Sequence, residues 1–295
     1  THVTLTSGLT IINVLVLGVA NLADRSHTVD SNLTHLTRGE TEQCHTALFT
    51  HKLSGHSFDL AAKASANPYL SLNWSYDMPK FPTINAMASV RWADLNMLNF
   101  SGGNRLSFSY LSAKQELYLS NINWKYFDIK GGIRNEVFDM RNLMASQFIG
   151  DYDFAQLTND FVSLYADART DTFDDGYFPT KGVNAGVSYA WTFAGIPDMI
   201  HNFHTLQADA KIVVPGSDGF AFIPSFNCRF LMGGDIPLAY FNAIGGSLPG
   251  RFVDQQLPFI GVTNLVAMEN IMTMFRTDFR FTLARNHYLT GIINY

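Results

Sequence analysis

The chain has 295 residues and a formal net charge of −5, and it contains no block of Lys or Arg. It therefore lacks the electrostatic footprint of a nucleic-acid binder. Charged residues make up 15% and hydrophobic ones 47%, with 24 Phe, 12 Tyr and 4 Trp, which excludes a disordered chain, since disorder goes with high charge and few aromatics.

Residues 9–22 form the longest apolar run, but Thr10, Asn13, Gly18 and Asn21 interrupt it. It falls short of the roughly 20 residues a helix needs to cross a bilayer. No basic segment precedes it and the first residue is Thr1, so it does not read as a secretory signal either. Residues 1–56 alternate weakly. Beyond them a two-residue period takes over, and such a period places successive side chains on opposite faces of a strand. Phe58, Leu60, Ala62 and Ala64 oppose Asp59, Ala61, Lys63 and Ser65, and Leu70, Leu72, Trp74 and Tyr76 oppose Ser71, Asn73 and Ser75. Val162, Leu164, Ala166 and Ala168 alternate with Ser163, Tyr165, Asp167 and Arg169. Over residues 183–193, Val183, Ala185, Val187, Tyr189, Trp191 and Phe193 share one parity; Asn184, Gly186, Ser188, Ala190 and Thr192 share the other. Leu206, Ala208, Ala210 and Ile212 oppose Thr205, Gln207, Asp209 and Lys211. Phe275, Thr277, Phe279, Phe281 and Leu283 oppose Arg276, Asp278, Arg280 and Thr282.

Roughly 14 such segments of about 9–15 residues are predicted, a length that suits tilted strands crossing a bilayer better than soluble strands of about 5–6 residues. A soluble β-sandwich alternates too. Two features argue against it: opposite charges on the polar parity, which suit an aqueous lumen, and Trp, Tyr and Phe near strand ends, which suit an interfacial girdle. A closed barrel also pairs every backbone group without leaving an edge in lipid. The expected fold is all-β, a transmembrane antiparallel β-barrel of about 14–16 strands in the bacterial outer membrane. Short turns are predicted at 101–104 and 215–219, longer connections at about 140–157 and 195–202, and the longest non-alternating stretch covers 233–264. An irregular loop of that length inside one domain is more often functional than accidental. No linker divides residues 1–295, so a single domain is expected.

Residues 171–182, Asp-Thr-Phe-Asp-Asp-Gly-Tyr-Phe-Pro-Thr-Lys-Gly, resemble a hairpin of the surface-antigen superfamily of outer-membrane assembly and secretion barrels. In that resemblance the 233–264 stretch is the inward-folding loop. Gly245, Gly246, Gly250, Arg251 and Phe252 occupy its tip, in the order Gly-Arg-Phe rather than the superfamily's Arg-Gly-Phe. The runs 251–261 (Arg-Phe-Val-Asp-Gln-Gln-Leu-Pro-Phe-Ile-Gly), 276–281 (Arg-Thr-Asp-Phe-Arg-Phe) and 286–290 (Asn-His-Tyr-Leu-Thr) resemble the C-terminal barrel of Bacteroidetes-type patatin-like phospholipases. The similarity covers about residues 80–295, whereas 1–56 match poorly. In that family a patatin hydrolase domain precedes the barrel and further strands follow it. The resemblance therefore implies a fragment that lacks both, although Gly291, Ile293 and Tyr295 also mimic the aromatic ending of a closing strand.

Asp167, Arg169 and Asp171 share an inward parity, as do Asp209 with Lys211, and Arg276 with Asp278 and Arg280. Unpaired charges in a barrel interior are costly, so mutual pairing or pairing with the inserted loop is expected. The resemblance implies that Arg251 docks on Asp167 or Asp171; the alternative is that these charges simply face lumen water. A patatin lipase needs a Gly-x-Ser-x-Gly elbow. The chain has none, and Gly245-Gly246-Ser247-Leu248-Pro249 has Pro in place of the last Gly. No catalytic site is assigned to these residues, and no cofactor. Cys44, His45, His51, His35 and His56, and the pair His201 and His204, lack the paired spacings of a zinc site, so no metal site is expected. The Phe and Trp stripes are read as lipid-facing wall. Three functions remain open at this level. The barrel anchors and exports a fused patatin-like phospholipase domain; it assembles or secretes other proteins; or it is a passive porin. The partners implied are outer-membrane lipid, the fused patatin domain and, because some relatives pair as homodimers, a second copy of the chain.

Overall fold

Among the described residues the computed structural model has sixteen strands, thirteen of which form the wall. It describes residues 28–30, 45–53, 55–64, 67–98, 105–145, 158–175, 178–194, 202–216, 219–234, 236, 240–245, 255–257, 259, 265–284 and 287–295. Eleven strands follow one another as antiparallel neighbours: β1 (Thr28–Asp30), β2 (His45–Leu53), β3 (His56–Ala64), β4 (Tyr69–Tyr76), β5 (Thr83–Leu98), β6 (Arg105–Trp124), β7 (Phe127–Ala145), β8 (Thr158–Asp171), β9 (Gly182–Ala194), β10 (Phe203–Pro215) and β11 (Phe220–Gly233). Three short strands interrupt the series, namely β12 (Asn242–Gly245), β13 (Gln256–Leu257) and β14 (Leu265–Glu269). The wall then resumes with β15 (Ile271–Ala284), paired to β11, and β16 (His287–Asn294). Among the described residues no ladder joins β1 to β16.

Burial follows the predicted parities. Leu117 (54% exposed), Val187 (52%) and Phe275 (53%) belong to an outward apolar band that runs from strand to strand. A soluble monomer does not leave such a band uncovered, whereas a hydrocarbon bilayer covers it. On the opposite parity, Ser163, Thr192, Glu116, Arg229 and Asp278 are buried inside. The band is framed by amphipathic rings. At one end the Trp74 indole N–H donates to His56 Nδ1 at 3.2 Å. At the other, the Trp191 indole N–H donates to Asn202 Oδ1 at 2.9 Å, and Tyr189 shares a hydrogen bond with His204 Nδ1 at 2.8 Å. Tyr and Trp favour this interface because one side of the ring is apolar and the other end wet.

The β6 and β7 strands, at 20 and 19 residues, run well beyond the predicted lengths and beyond the about 9–11 residues needed to cross a bilayer. They project from it as a hairpin closed by Lys125 and Tyr126, with Lys125 in the left-handed region at φ 56°. Turns at the β6–β7 end are short, apart from residues 172–181, and the long connections 146–157, 195–202 and 234–270 lie at the other end. In outer-membrane barrels the short turns face the periplasm and the long loops face outward. The 234–270 connection does not remain outside. Its β14 pairs in parallel with β5 at Leu265 and Met97, and its β12 pairs with both β13 and β14. The expected inward loop is thus present as a small sheet set against the lumenal face of the wall.

Candidate functional site in the lumen

Tyr240 holds the base of the inward loop. Its ring meets Phe138, Phe161 and Phe203 edge-on, with centroids 5.7, 4.9 and 4.9 Å away. Its hydroxyl donates to Glu136 on β7, and its carbonyl accepts from Arg229 Nη1 of β11 at 2.9 Å. The same Nη1 donates to Asn242 Oδ1; the Asn242 amide returns hydrogen bonds to the carbonyls of Arg229 at 3.0 Å and Asn270 at 2.9 Å. Asn242 is fully buried, and both its oxygen and its nitrogen are satisfied, as burial demands. Edge-on aromatic contacts are worth about 0.5–1.5 kcal/mol each beyond the area they bury. The loop is latched to β7, β8, β10 and β11 together.

A charge network lies next to the latch. Glu116 accepts from Arg134 Nε at 2.5 Å, contacts Lys114 Nζ at 3.2 Å and receives the Tyr165 hydroxyl at 3.2 Å. The Arg134 guanidinium sits over the Tyr165 ring at 4.3 Å. Register produces this arrangement, since Lys114 stands opposite Glu136, and Glu116 opposite Arg134. Each carboxylate thus has one cation opposite it on the neighbouring strand and a second two positions away on its own strand, and a buried ion pair is tolerated only with such geometry.

The 172–181 hairpin folds over the periplasmic end. Asp174 accepts from the amides of Thr180 at 2.8 Å and Lys181 at 3.2 Å and from the Thr180 hydroxyl. These hydrogen bonds, the Thr180 hydroxyl foremost, lower its carboxyl from an ordinary value of 3.8 to about 2. Phe178 stacks on Tyr288 of β16 with centroids 4.5 Å apart, Arg280 of β15 donates to the Pro179 carbonyl, and Phe173 packs on Val213, Ala221 and Ile223. Gly182 ends the turn at φ +118°, where an added Cβ would lie 2.4 Å from the Thr172 carbonyl oxygen. Only glycine fits there.

The candidate charges fall as follows. Asp167 contacts Lys130 Nζ at 3.1 Å, and Asp171 accepts from the Asn184 amide at 2.7 Å and the Phe173 N–H at 2.9 Å. Arg169 donates to Asp209 at 2.8 Å and to Asn184 Oδ1 at 2.9 Å. Arg276 pairs with Asp278 at 2.6 Å on its own strand, and Lys211 stands in register with Asn184 and Ser225. Gly245 closes β12 with φ 129°, its carbonyl accepting from Gln256 Nε2 at 2.6 Å. Gly246, Gly250, Arg251 and Phe252 lie outside the described residues.

One reading needs correction: not every Phe stripe is lipid-facing wall. Phe108, Phe138, Phe161 and Phe203 are buried in the interior against Tyr240 and Leu265. The signal was available. Phe161 shares its parity with Ser163 and Tyr165, and Phe203 shares its parity with Thr205 and Gln207; an apolar residue on a lumenal parity needs something to cover it, and the inward loop does so. Glu116, Arg134, Glu136, Arg229, Tyr240 and Asn242 were not singled out from sequence, because only register and loop path bring them together.

Comparison with known proteins agrees with this architecture. The structure is similar to BamA from Haemophilus ducreyi lacking POTRA domains 1–3, with a TM-score of 0.59 at 13% identity over 85% of this chain and 54% of that one. It is also similar to CdiB from Acinetobacter baumannii, with a TM-score of 0.48 at 9% identity over 92% of this chain and 55% of that one. The chain spans about half the length of these solved chains. No curated protein sequence matches it. The model of the OMP85 superfamily matches residues 71–295, and the chain belongs to that superfamily of outer-membrane β-barrel proteins.

Proposed function

We propose that this barrel anchors a patatin-like phospholipase domain fused ahead of it and carries that domain across the outer membrane. The observation that carries the transport part of the reading is the latched lumen. Tyr240 is held by Glu136 and three aromatic rings, so the inward loop occupies the interior through specific, separable contacts. A passive porin would leave that interior open to solutes. The patatin association rests on the runs 251–261, 276–281 and 286–290, because fold alone does not supply function. In the same reading Arg251 docks on Asp167 or Asp171 and steadies the tip of the loop.

The test is the coding sequence upstream of Thr1, followed by surface labelling of the full-length protein in intact cells. A Gly-x-Ser-x-Gly elbow upstream and a protease-accessible hydrolase domain outside the cell are the expected result. POTRA repeats in that position would overturn it. They would favour the second reading, a protein-assembly or secretion barrel, which the likeness to BamA supports. Depletion of the protein would then reduce the levels of other outer-membrane proteins.

A further inference from the structure

The connection between β8 and β9 is longer than a turn requires. A β-hairpin closes with as few as two residues, and the β6–β7 hairpin at the same end turns on Lys125 and Tyr126. The described residues of 172–181 instead lean inward over β10, β11, β15 and β16. Phe173 packs on Val213 of β10 and on Ala221 and Ile223 of β11, the last two in register with the lumenal Arg280 and Asp278. Pro179 is buried, and its carbonyl accepts from Arg280 on β15. Phe178 stacks on Tyr288 of β16 with 18° between the ring planes, and the Arg280 guanidinium lies 5.6 Å from the centroid of the same Tyr288 ring. One buried guanidinium therefore holds the hairpin through a hydrogen bond and β16 through a cation–π contact.

The hairpin is braced so that it can transmit this hold. Its base is tied to the wall by the Thr172 N–H, which donates to the Val183 carbonyl at 2.9 Å, and by the Val183 N–H, which donates to the Thr172 hydroxyl at 2.9 Å. Inside it, Asp171 accepts from the Phe173 N–H and Asp175 from the Phe178 N–H, both at 2.9 Å, while Asp174 joins the two limbs through Thr180 and Lys181. Pro179 fixes its own φ and favours an extended Phe178. The β15–β16 ladder is irregular at the level the hairpin reaches, with a register shift between Thr282 and Ala284.

We propose that residues 172–181 are a conformational strap: they clamp the β15–β16 hairpin to β8 and β9 across the periplasmic end of the lumen, bypassing the ladder through β10 and β11. Releasing the strap frees the turn end of β15 and β16 to move while the rest of the wall stays paired. The strap acts within the wall and is independent of what the barrel carries.

Amide hydrogen exchange read by mass spectrometry on the full-length protein in detergent tests this, with heat-modifiable gel mobility as the control for folding. Phe178→Ala removes the stack on Tyr288. Asp174→Ala loosens the strap from within, at an exposed residue whose hydrogen bonds stay inside the hairpin, and it should fold. Both variants should speed exchange over residues 282–290 about tenfold, the scale of one lost aromatic stack. Exchange over 206–212 on β10 and 271–275 on β15 should stay as in wild type. Phe178→Tyr keeps the ring and should exchange like wild type throughout. Unchanged exchange over 282–290 in folded Asp174→Ala or Phe178→Ala overturns the proposal. So does an equal rise in every strand, which would be a general loss of stability.

Discussion

Arg169 on β8 reaches Asp209 on β10 across the whole width of β9, with its guanidinium 2.8 and 3.1 Å from the two carboxylate oxygens. The strand between them presents Gly186 at that height, in register with both residues. A Cβ there would lie 2.9 Å from Arg169 Nη2 and 3.1 Å from Asp209 Oδ1. Gly186→Val should therefore displace the bridge. The pair is partly solvated, so its loss is worth about 1 kcal/mol or less. Urea unfolding in detergent should show a small fall in midpoint for Gly186→Val. Arg169→Ala should then add almost nothing in that background, because coupled residues are not additive.

Tyr240→Phe removes one hydroxyl and leaves Glu136 buried without its donor. The cost of such an orphaned acceptor is about 1–3 kcal/mol. The aromatic seat stays filled, so the barrel should fold while the loop base loosens. Single-channel recording should show larger and longer openings than the small, unstable currents of the latched wild type. Unchanged conductance would mean that the latch does not hold the plug.

Phe161→Ala tests the seat itself. The side chain is fully buried and meets Phe138, Phe203 and Tyr240. Truncations of this kind cost about 3–5 kcal/mol through lost transfer energy and the cavity left behind. The temperature at which the folded band disappears on a gel should fall clearly more than for Tyr240→Phe.

Asp174 gives the periplasmic hairpin a pH dependence with a definite sign. Its carboxyl titrates at about 2 in the folded hairpin against an ordinary 3.8, because the Thr180 hydroxyl and the amides of Thr180 and Lys181 bind the ionised form. A depressed carboxyl stabilises the fold above its unfolded value, and that contribution fades as pH falls from about 3.8 towards about 2. Acid-stable protease should begin to cut the 172–181 hairpin in that window. Asp174→Asn should be cut at neutral pH as well, with little further change on acidification.

The wall was legible from sequence because a two-residue period registers the presence of two different surroundings. Val187 and Ser188 differ in chemistry because one faces hydrocarbon and the other an interior. The latch was not legible. Glu136 and Tyr240 are separated by 104 positions, and Arg280 and Pro179 by 101; no local pattern encodes which lumenal groups meet across such distances. That choice is made by strand register, which sets Glu136 opposite Lys114, and by the path of the loop. Strand length was only partly legible, because β6 and β7 continue to alternate past the membrane where no change of surroundings marks the boundary.

Neighbouring positions on β9 provide a direct test of the two surroundings. Val187 lies on the outward band about midway along the strand, in register with Ala168 and Ala208. An arginine there at the bilayer midplane costs about 2–4 kcal/mol. Ser188 faces inward opposite Asp167, which pairs with Lys130; an arginine there shares that carboxylate in a polar interior rather than entering hydrocarbon, and should cost much less than at Val187. Val187→Arg should therefore fold poorly into lipid vesicles and lose its gel-shifted band at lower temperature, while Ser188→Arg should resemble wild type. Equal tolerance at the two positions would mean that the outward parity does not contact hydrocarbon. The transmembrane placement of the wall, and with it the identity of the lumen, would then be wrong.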